Sequence, residues 1–309
     1  MKKVFIDGGA GTTGLRIVER LAARDDIELL TLPDAVRKDI SARKEALNQA
    51  DIAFLCLPDA AAIEAVSLIE NETTVVIDTS TAHRTAAGWT YGFPELVGKE
   101  AVANAKRISN PGCHASGFVA LVAPLVRAGL VFPDAALTAF SLTGYSGGGK
   151  GMIAEYEKDD REALLSAPRQ YALKQAHKHL PEMALRSGLS VYPAFSPVVA
   201  PYYSGMEVTV PLFTKDLACD KKEALGVIEG IYRATYTGAV VCFDNRDENG
   251  FLSASALSGS DKMTVSVYGN DERILLVSRF DNLGKGASGA AVQNMNLSLG
   301  CDETMGLVL

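Results

Sequence analysis

The sequence predicts an α/β fold in two lobes, one built on a parallel β-sheet and the other an α+β lobe with a largely antiparallel sheet. Over the first hundred residues short apolar runs alternate with helical patterns, which is typical of a parallel sheet with helices on its faces. In the second half, segments that alternate apolar and polar residues indicate strands, and helical patterns separate them. A chain of 309 residues is long enough for two hydrophobic cores.

The elements of the first lobe follow from the distribution of its apolar residues. Runs of β-branched and apolar residues predict strands over residues 4–6, 27–31, 52–57, 75–78 and 107–109. Helical patterns between them predict helices over residues 13–24, 41–50 and 59–70. Strands and helices in this order form βαβ units, so we expect the strands to run parallel.

A glycine-rich turn, DGGAGTTG at residues 7–14, joins the first strand to the first helix. Gly8 and Gly11 carry no side chain, so the backbone there can approach a pyrophosphate, whose charge is met by the N–H groups that begin the helix. The strand before the turn and the amphipathic helix after it favour dinucleotide binding over a merely tight turn. We therefore predict a Rossmann-type dinucleotide-binding domain, with cofactor contacts at Gly8, Gly11, Thr12, Thr13 and Gly14.

The residues after the second predicted strand indicate which dinucleotide is bound. No acidic residue stands at the immediate end of the strand in IELLTLPD, because Asp34 comes late, and Arg37 and Lys38 follow closely. Basic groups here suit the 2′-phosphate of NADP, whereas a carboxylate suits the free ribose hydroxyl of NAD. NADPH/NADP is the predicted cofactor and Arg37 a predicted contact. A solvated helix start is the alternative interpretation of the two basic residues.

Cys113 lies among turn residues, in the stretch SNPGCHASG at residues 109–117. Pro111 disfavours helix for the preceding residue and Gly112 permits an unusual turn, so a helix is expected to begin near Cys113 or His114. The N–H groups and the positive dipole end of a helix stabilise a thiolate, which makes the thiol a nucleophile. The same N–H groups can stabilise an oxyanion on a carbon bonded to the sulfur. A small apolar residue near a helix cap is the alternative.

The other thiols predict no metal centre. The five cysteines are odd in number, scattered and never spaced as CxxC, which is typical of reduced thiols in the cytosol and disfavours a zinc site. Cys56 lies inside an apolar run and is predicted to be a small core residue. The same interpretation applies to Cys219, Cys242 and Cys301.

Two of the four histidines, His177 and His179, lie in the segment HKHLPEM. Side chains at i and i+2 do not share a helix face, so the segment is predicted to be extended or turning, as the proline after it also indicates. One imidazole is predicted to act as general acid and base, with the other holding phosphate or orienting its neighbour. A metal site with Cys113 and a purely structural pair are the alternatives. His83 and His114 are interpreted as surface or wall residues.

The second lobe is predicted from strand signals over residues 135–143, 206–212, 263–267 and 273–279. Helices are predicted over residues 152–158, 161–176 and 221–236. Residues 192–205 contain spaced prolines and are predicted to form a loop with an edge strand.

Two glycine-rich segments are further candidate ligand contacts. GYSGGGKG, residues 144–151, offers backbone donors and Lys150 to an anion or a cofactor edge, with a bare turn as the alternative. Near the C-terminus, DNLGKGASG at residues 281–289 precedes a helical pattern. Asn282 or Asn294 is predicted there to face the polar groups of a nicotinamide.

Charge and hydropathy restrict the partners of the chain. The net charge of −7 disfavours nucleic acid and an anionic membrane as main partners and is compatible with a small-molecule substrate. The longest apolar run, residues 117–132, is interrupted by Arg127 and is too short to span a bilayer. No secretory apolar segment follows the basic start, so a cytoplasmic protein is expected.

Six motifs, in the same order along the chain, together resemble one enzyme family. They are FIDGGAGTTGLRI, DTSTAHRTAAGWTYGFPEL, ISNPGCHASGF, GYSGGGKG, QAHKHLPEM and DNLGKGASGAAVQNMNLSLG. The chain resembles the N-acetyl-γ-glutamyl-phosphate reductases in their shorter form, over nearly its whole length. Related semialdehyde and glyceraldehyde-phosphate dehydrogenases share the dinucleotide turn and the helix-start cysteine, and the HKHLPE segment separates this chain from them.

The resemblance implies NADPH-dependent reduction of N-acetyl-L-glutamyl 5-phosphate to N-acetyl-L-glutamate 5-semialdehyde, with release of phosphate, as a step of arginine biosynthesis. Cys113 would form a thioester with the acyl group, and His177 or His179 would handle the proton. An aspartate-semialdehyde dehydrogenase-like enzyme and a non-catalytic protein that senses dinucleotides are the two alternatives.

The resemblance also assigns domains and further contacts. Ser80 is expected to contact the cofactor, and Arg84 and Lys150 to hold carboxylate or phosphate charge. Family members are homo-oligomers, usually through the sheet of the catalytic lobe. The implied domains are a dinucleotide-binding domain over residues 1–112 and 283–309 and a catalytic and oligomerisation domain over residues 113–282.

Overall fold

The computed structural model describes residues 1–309, and its backbone contacts divide the chain into two compact units. Unit 1 comprises residues 1–111 and 287–307, and unit 2 comprises residues 112–286 and 308–309. Each unit has its own β-sheet.

Thirteen strands and ten helices make up the two units. The strands are β1 (Lys2–Asp7), β2 (Ile27–Leu30), β3 (Ile52–Leu55), β4 (Val75–Asp78), β5 (Thr90–Tyr91), β6 (Arg107–Ser109), β7 (Thr138–Gly144), β8 (Arg169–Gln170), β9 (Ala194–Ala200), β10 (Met206–Phe213), β11 (Val241–Phe243), β12 (Met263–Gly269) and β13 (Arg273–Phe280). The helices are α1 (Thr12–Leu21), α2 (Ile40–Gln49), α3 (Asp59–Ser67), α4 (Pro94–Val97), α5 (Lys99–Ala103), α6 (Cys113–Arg127), α7 (Gly149–Tyr156), α8 (Leu180–Ser187), α9 (Ala224–Thr235) and α10 (Gly289–Ser298). None of these helices combines the length and the apolar character that a bilayer crossing requires.

Unit 1 is a six-stranded parallel sheet in the order β2-β1-β3-β4-β6-β5, with helices on both faces. Successive side chains of β3 point to opposite faces. Ile52 and Phe54 join the core that includes α1 and α10, whereas Ala53 and Leu55 join the core that includes α2 and α3. Because both faces are covered, the central strands β3 and β4 are almost entirely apolar, which is the pattern that predicted them. The predicted Rossmann-type lobe is confirmed.

The sequence did not predict the strand β5 or the helices α4 and α5. These elements have two, four and five residues, respectively. Elements this short contain too little of a periodic pattern to be distinguished from a loop.

Unit 2 contains a seven-stranded mixed sheet in the order β11-β12-β13-β10-β7-β9-β8. The central pairs β12 with β13, β13 with β10, and β10 with β7 are antiparallel, while β7 with β9 and β11 with β12 are parallel. The predicted α+β lobe with a largely antiparallel sheet is therefore confirmed. The helix α6 lies on one face of this sheet and is buried over most of its length. The Tyr232 hydroxyl of α9 donates a hydrogen bond to the Leu121 carbonyl oxygen of α6 at 2.7 Å.

The prediction of a helix over residues 161–176 is wrong. This segment has one 3-10 turn, Ala163–Ser166, and then β8. Pro168 has no N–H group for a helical ladder and restricts the residue before it. The strand β8 instead pairs with β9, with Arg169 opposite Val199.

Two further segments differ from the prediction. Of the segment HKHLPEM, residues 177–179 are extended or turning, as predicted, whereas the residues from Leu180 onward begin the helix α8; Pro181 lies in the first helical turn, where a proline removes no intrahelical hydrogen bond. Residues 194–200 form β9, which pairs with β7 on one side and β8 on the other. The predicted edge strand therefore lies inside the sheet, and β8 occupies the edge.

We expect the substitution Gly117→Ala to destabilise unit 2. A Cβ atom at residue 117 would lie 2.5 Å from a methyl carbon of Val208, 2.7 Å from the Ser278 hydroxyl oxygen and 2.9 Å from the Phe280 ring. Overpacking of this kind costs about 1–3 kcal/mol, which chemical denaturation should report as a lower midpoint. Gly230→Ala in α9 is the matched control, because nothing lies within 4 Å of the added Cβ atom. Its midpoint should stay the same or rise. Equal midpoints for Gly117→Ala and the wild type would contradict the close packing of α6.

Candidate active site

Cys113 is the first residue of α6. Gly112, with φ −78° and ψ 145°, is the N-cap and has no side chain to bond the helix start. The first intrahelical hydrogen bond runs from the Ser116 N–H to the Gly112 carbonyl oxygen, at 2.8 Å. The N–H groups of residues 113–115 therefore have no acceptor within the helix, and the positive end of the helix dipole lies beside the Cys113 thiol. The helix start predicted from Pro111 and Gly112 is confirmed.

Two close contacts fix the start of α6. The Gly112 N–H donates a hydrogen bond of 2.9 Å to Glu182 Oε1, and Glu182 is only 2% exposed. A Cβ atom at Gly286 would lie 3.0 Å from the Cβ atom of Cys113, so glycine leaves room for the residue that bears the thiol. Glu182 was not predicted as a site residue, although it is the acidic residue of the HKHLPEM segment.

His114, which follows the thiol, is buried with both ring nitrogens engaged. Nδ1 lies 2.8 Å from the Ser141 hydroxyl oxygen, and Nε2 lies 2.6 Å from the Tyr171 hydroxyl oxygen. Burial, aided by the charge of the neighbouring His177, lowers the pKa of His114 to about 3. The ring is therefore neutral near pH 7, so one nitrogen donates and the other accepts. The sequence did not predict Ser141 or Tyr171, because each meets His114 only through the tertiary fold.

His177 and His179 lie beside His114. The ring centroids are 4.7 Å apart for His177 and His179, 5.5 Å for His114 and His177, and 5.6 Å for His114 and His179. The His179 N–H donates to Nδ1 of His177 at 3.2 Å, so a neutral His177 carries its hydrogen on Nε2. Burial, and to a smaller extent the charge of Lys178, lowers the pKa of His177 to about 4. The structure thus brings together three of the four histidines of the chain.

Tyr171 contacts two of the imidazoles and lies near the thiol. Its hydroxyl contacts His114, and its ring centroid lies 5.9 Å from that of His177. Burial raises the pKa of Tyr171, and the negative charge of the Cys113 thiolate raises it further. Tyr171 is therefore a neutral phenol, and a negative charge on the Cys113 sulfur disfavours its ionisation. The residue was missed because it falls in the segment that was wrongly predicted as helix.

The predicted dinucleotide turn lies between β1 and α1. Gly8 has a φ of +86°, and a Cβ atom there would collide with the Cys56 carbonyl oxygen. The helix α1 has Gly11 as its N-cap, without a side-chain capping bond, and begins with Thr12, Thr13 and Gly14. A Cβ atom at Gly14 would lie 2.6 Å from the Gly8 carbonyl oxygen. A backbone without side chains and a helix start with unpaired N–H groups fit the pyrophosphate of a dinucleotide.

A cavity of about 460 Å³ lies beside this turn, within unit 1. Its lining includes Gly8 from the turn, the residues that end β2, and both predicted basic residues, Arg37 and Lys38. Arg37 is half-exposed, and its ion pair with the exposed Asp34 is long, at 3.6 Å. Such a pair is weak in water, so the guanidinium is available to a phosphate ligand.

A third basic residue of the cavity, Arg43, is already neutralised. Its guanidinium is buried and forms ion pairs with Asp7 at 2.9 Å and with Glu64 at 2.7 Å. The carboxylates of Asp7 and Glu64 therefore offset the positive charge of the Arg43 guanidinium. The positive charge that this cavity offers to an anion comes from Arg37 and Lys38.

Ser80 lies just beyond the carboxyl end of β4. Asp78, the buried last residue of β4, accepts hydrogen bonds from the Ser80 hydroxyl at 2.7 Å and from the Ser80 N–H at 2.9 Å. The same carboxylate lies 2.6 Å from Nδ1 of His83, whose ring stacks on Trp89 at 4.0 Å. His83 is thus held in place in unit 1, apart in the chain from the other three histidines.

Arg84 is buried at the same edge of the parallel sheet. Its Nε donates to the Asn110 carbonyl oxygen at 3.0 Å, and its Nη2 donates to the Thr79 carbonyl oxygen at 2.8 Å. In open α/β sheets, ligands bind outside the carboxyl ends of the strands, so this is a suitable place for Ser80 and Arg84 to contact one.

The remaining predicted contacts have different surroundings. Asn282 is buried in unit 2, where Nδ2 donates to the Ser146 hydroxyl at 2.9 Å and Oδ1 accepts from the Gly205 N–H at 3.0 Å. Lys150 is exposed on α7. Asn294 is buried in unit 1 and donates to the Gly92 carbonyl oxygen at 3.0 Å. No group of three or more His, Cys, Asp or Glu side chains is arranged to hold a metal ion.

Two family models match the chain. Residues 33–105 match the NAD binding domain of semialdehyde dehydrogenase, and residues 113–282 match the semialdehyde dehydrogenase dimerisation domain.

Curated relatives match over nearly the full length. N-acetyl-gamma-glutamyl-phosphate reductase 2 of Nostoc sp. is 44% identical and covers 99% of both chains. The protein named N-acetyl-gamma-glutamyl-phosphate reductase 2 in Pseudomonas putida is 45% identical over 98% of both chains, and N-acetyl-gamma-glutamyl-phosphate reductase of Burkholderia ambifaria is 46% identical over 96% of both.

Among solved structures, aspartate semialdehyde dehydrogenases share the fold. The Vibrio cholerae enzyme II, complexed with ASA, aligns with a TM-score of 0.72 at 19% identity, over 97% of this chain and 98% of that one. The Candida albicans enzyme with NADP aligns with a TM-score of 0.64 at 16% identity, over 96% of this chain and 98% of that one. At these identities the likeness concerns the fold alone.

We expect His114 and His177 to stay neutral down to about pH 5, because burial disfavours the charged ring. A histidine ¹H–¹⁵N NMR titration should place both midpoints well below the ordinary value of about 6.5 and show the hydrogen of His177 on Nε2. In the urea-unfolded chain both should titrate near that ordinary value. Between about pH 6.5 and pH 4 these two histidines are protonated in the unfolded chain but remain neutral in the folded chain. The free energy of unfolding should therefore fall as the pH falls. Midpoints near 6.5 in the folded protein would contradict the burial of these rings.

Proposed function

The chain belongs to the N-acetyl-gamma-glutamyl-phosphate reductases of the semialdehyde dehydrogenase family, and we propose that it reduces N-acetyl-L-glutamyl 5-phosphate to N-acetyl-L-glutamate 5-semialdehyde and phosphate with NADPH. This reaction is a step of arginine biosynthesis. The observation that carries the proposal is the thiol of Cys113 at the start of α6, with a neutral phenol and a cluster of imidazoles beside it.

In the first step the Cys113 thiolate attacks the carbonyl carbon of the acyl phosphate. A carbon–sulfur bond forms, the bond from the carbon to the phosphate oxygen breaks, and phosphate leaves with the electron pair. Negative charge develops on the carbonyl oxygen before the phosphate leaves. The N–H groups that begin α6 point toward this charge and stabilise it.

In the second step the thioester is reduced to the aldehyde. Bound NADPH supplies the hydride for the thioester carbon. The carbon–sulfur bond then breaks as the oxygen re-forms the carbonyl group, which releases the semialdehyde and returns the Cys113 thiolate. The phosphate released in the first step takes up one proton, and any proton placed on the adduct oxygen is lost again when the carbonyl group re-forms. Over both steps one hydride and one proton are therefore consumed for each acyl phosphate.

The proton is handled by His177 and His179. His177 presents a hydrogen on Nε2, because its Nδ1 accepts from the His179 N–H. We assign to His177 the hydrogen bond that the adduct oxygen receives, and to the pair together the transfer of the proton. His114 is excluded from this role because Ser141 and Tyr171 already engage both of its nitrogens.

Unit 1 holds NADPH in this proposal. The glycine turn with Gly8, Gly11 and the start of α1 binds the pyrophosphate, and Arg37 with Lys38 binds the 2′-phosphate. Ser80 is proposed as a further cofactor contact at the carboxyl end of β4.

The remaining contacts are proposed on weaker support. Arg84, anchored by two backbone carbonyl oxygens, supplies a fixed guanidinium for a carboxylate or phosphate. Asn282 and Lys150 contribute polar and cationic groups from unit 2. None of the five cysteines forms a disulfide bond, which is compatible with a reducing compartment, and we propose that the enzyme works in the cytoplasm.

We expect the wild type to oxidise NADPH when N-acetylglutamyl phosphate is added, and to do so far more slowly with NADH. Absorbance at the nicotinamide band measures both rates. Aspartyl phosphate as the preferred substrate would instead identify an aspartate-semialdehyde dehydrogenase, and no turnover with either substrate would leave a protein that only senses dinucleotides.

Cys113→Ser should lose turnover by at least about 10³-fold, because a hydroxyl is a far weaker nucleophile. It should bind NADPH normally, and its failure to form the acyl adduct is measurable by mass spectrometry.

Unit 2 also presents an apolar surface that supports a homo-oligomer. The face of the sheet opposite α6 exposes Phe140 of β7 (42%), Phe213 of β10 (56%) and Leu275 of β13 (46%), and these three strands are adjacent. Exposed apolar side chains that cluster on one sheet are typical of protein interfaces. We propose that copies of the chain associate through this face.

We expect the wild type to sediment as a dimer or larger species and Leu275→Asp to shift the equilibrium toward single chains, because a buried unpaired carboxylate is costly. Leu164→Asp is the matched control. Leu164 is 72% exposed but lies in a 3-10 turn outside the sheet, so its substitution should leave the sedimentation coefficient unchanged. A wild-type mass of one chain would overturn the proposal.

A further inference from the structure

The loop that joins Tyr171 to His177 has an unusual backbone. Ala172 and Gln175 both have a φ of 53°. This left-handed region is uncommon for residues with a Cβ atom, and it persists only where the surroundings hold the backbone in place. Something in unit 2 must therefore hold this loop.

The side chain of Gln175 provides such a restraint. Its Nε2 donates to the Phe195 carbonyl oxygen at 2.7 Å, and its Oε1 accepts from the Phe195 N–H at 2.8 Å. One amide thus satisfies both backbone groups of a single residue of β9. The pattern is the one that a neighbouring strand would make.

These bonds continue the outer edge of β9 where β8 ends. Arg169 and Gln170 of β8 pair with Val199 and Val198, and the Tyr171 N–H donates to the Pro197 carbonyl oxygen at 3.0 Å. After Tyr171 the chain leaves the sheet. At Phe195, two residues before Pro197 in β9, the side chain of Gln175 makes the hydrogen bonds that a neighbouring strand would otherwise make. The loop is consequently bonded to β9 at two points, through the Tyr171 N–H and through the Gln175 side chain.

Phe195 couples this attachment to the imidazoles. Its ring lies edge-on to His177 at 5.3 Å and to His114 at 5.2 Å. The Gln175 amide therefore fixes the backbone of the residue against which both rings pack. It also fixes the chain two residues before His177.

We propose that Gln175 is a positioning residue for the proton-transfer group: its amide, bonded to the Phe195 backbone, sets the position of His177. Gln175 itself touches no reacting atom in this proposal. The inference rests on the proposed function, since it assigns to Gln175 a part in the proton transfer of that reaction.

The test compares Gln175→Ala and Gln175→Glu with the control Gln170→Ala. The glutamate keeps the acceptor for the Phe195 N–H but has no donor for the Phe195 carbonyl oxygen. Misplacement of a catalytic group by about 1 Å lowers rates by up to roughly 100-fold, so we expect kcat to fall by about 10- to 100-fold in both Gln175 variants. The KM for NADPH should change by less than about twofold, because the cofactor binds through unit 1 in the proposed function. Gln170 is an exposed residue of β8, so the control variant Gln170→Ala should retain the wild-type kcat.

Histidine NMR gives a second readout that does not depend on turnover. In both Gln175 variants the His177 ring signals should move or broaden, while those of His83, in unit 1, should not. An unchanged kcat together with unchanged His177 signals would overturn the proposal. If Gln175→Ala fails to fold, Gln175→Glu decides the question by the same two measurements. If the wild type shows no turnover, the proposed function fails, and the His177 signals still report whether Gln175 positions the ring.

Discussion

The candidate active site depends on one buried hydrogen bond, from the Gly112 N–H to the carboxylate of Glu182. A buried carboxylate is costly unless it is bonded, and the first turn of α8 adds helix N–H groups that favour its charge. The bond holds the start of α6 to the start of α8. Because the thiol lies at the first of these helix starts and His177 and His179 lie just before the second, the two motifs meet through Glu182.

The second condition for this arrangement is the presence of glycines where α6 packs closely against its neighbours. Gly117 places α6 directly on the sheet, and Gly286 lets the backbone approach Cys113 so closely that an added Cβ atom would lie only 3.0 Å from the Cβ atom of Cys113. In unit 1 the same device operates at Gly8, where a Cβ atom would meet the backbone of Cys56. The thiol and the dinucleotide turn thus each lie at a helix N-terminus that a nearby glycine allows to pack closely.

The sequence predicted those parts of the fold that follow from local patterns. The parallel strands were visible because both of their faces are buried, and the start of α6 was visible because Pro111 and Gly112 restrict the backbone. The helix predicted over residues 161–176 failed because hydrogen bonds to β9, over twenty residues away, outweigh local helix propensity. Tyr171 was missed for the same reason. Its approach to Cys113 and His114 exists only once β8 has paired.

Burial also decides how charge is distributed in unit 2. With the pKa of His114 lowered to about 3 and that of His177 to about 4, neither ring carries a positive charge near pH 7. In the proposed mechanism the thiolate is therefore stabilised by the N–H groups that begin α6 and by the dipole of the neutral Tyr171 phenol, and not by a positively charged imidazole. A ring with so low a proton affinity does not form a lasting ion pair with the sulfur. In the proposed mechanism a neutral His177 instead donates a hydrogen bond from Nε2 to the adduct oxygen, and its low pKa means that it holds a transferred proton only briefly.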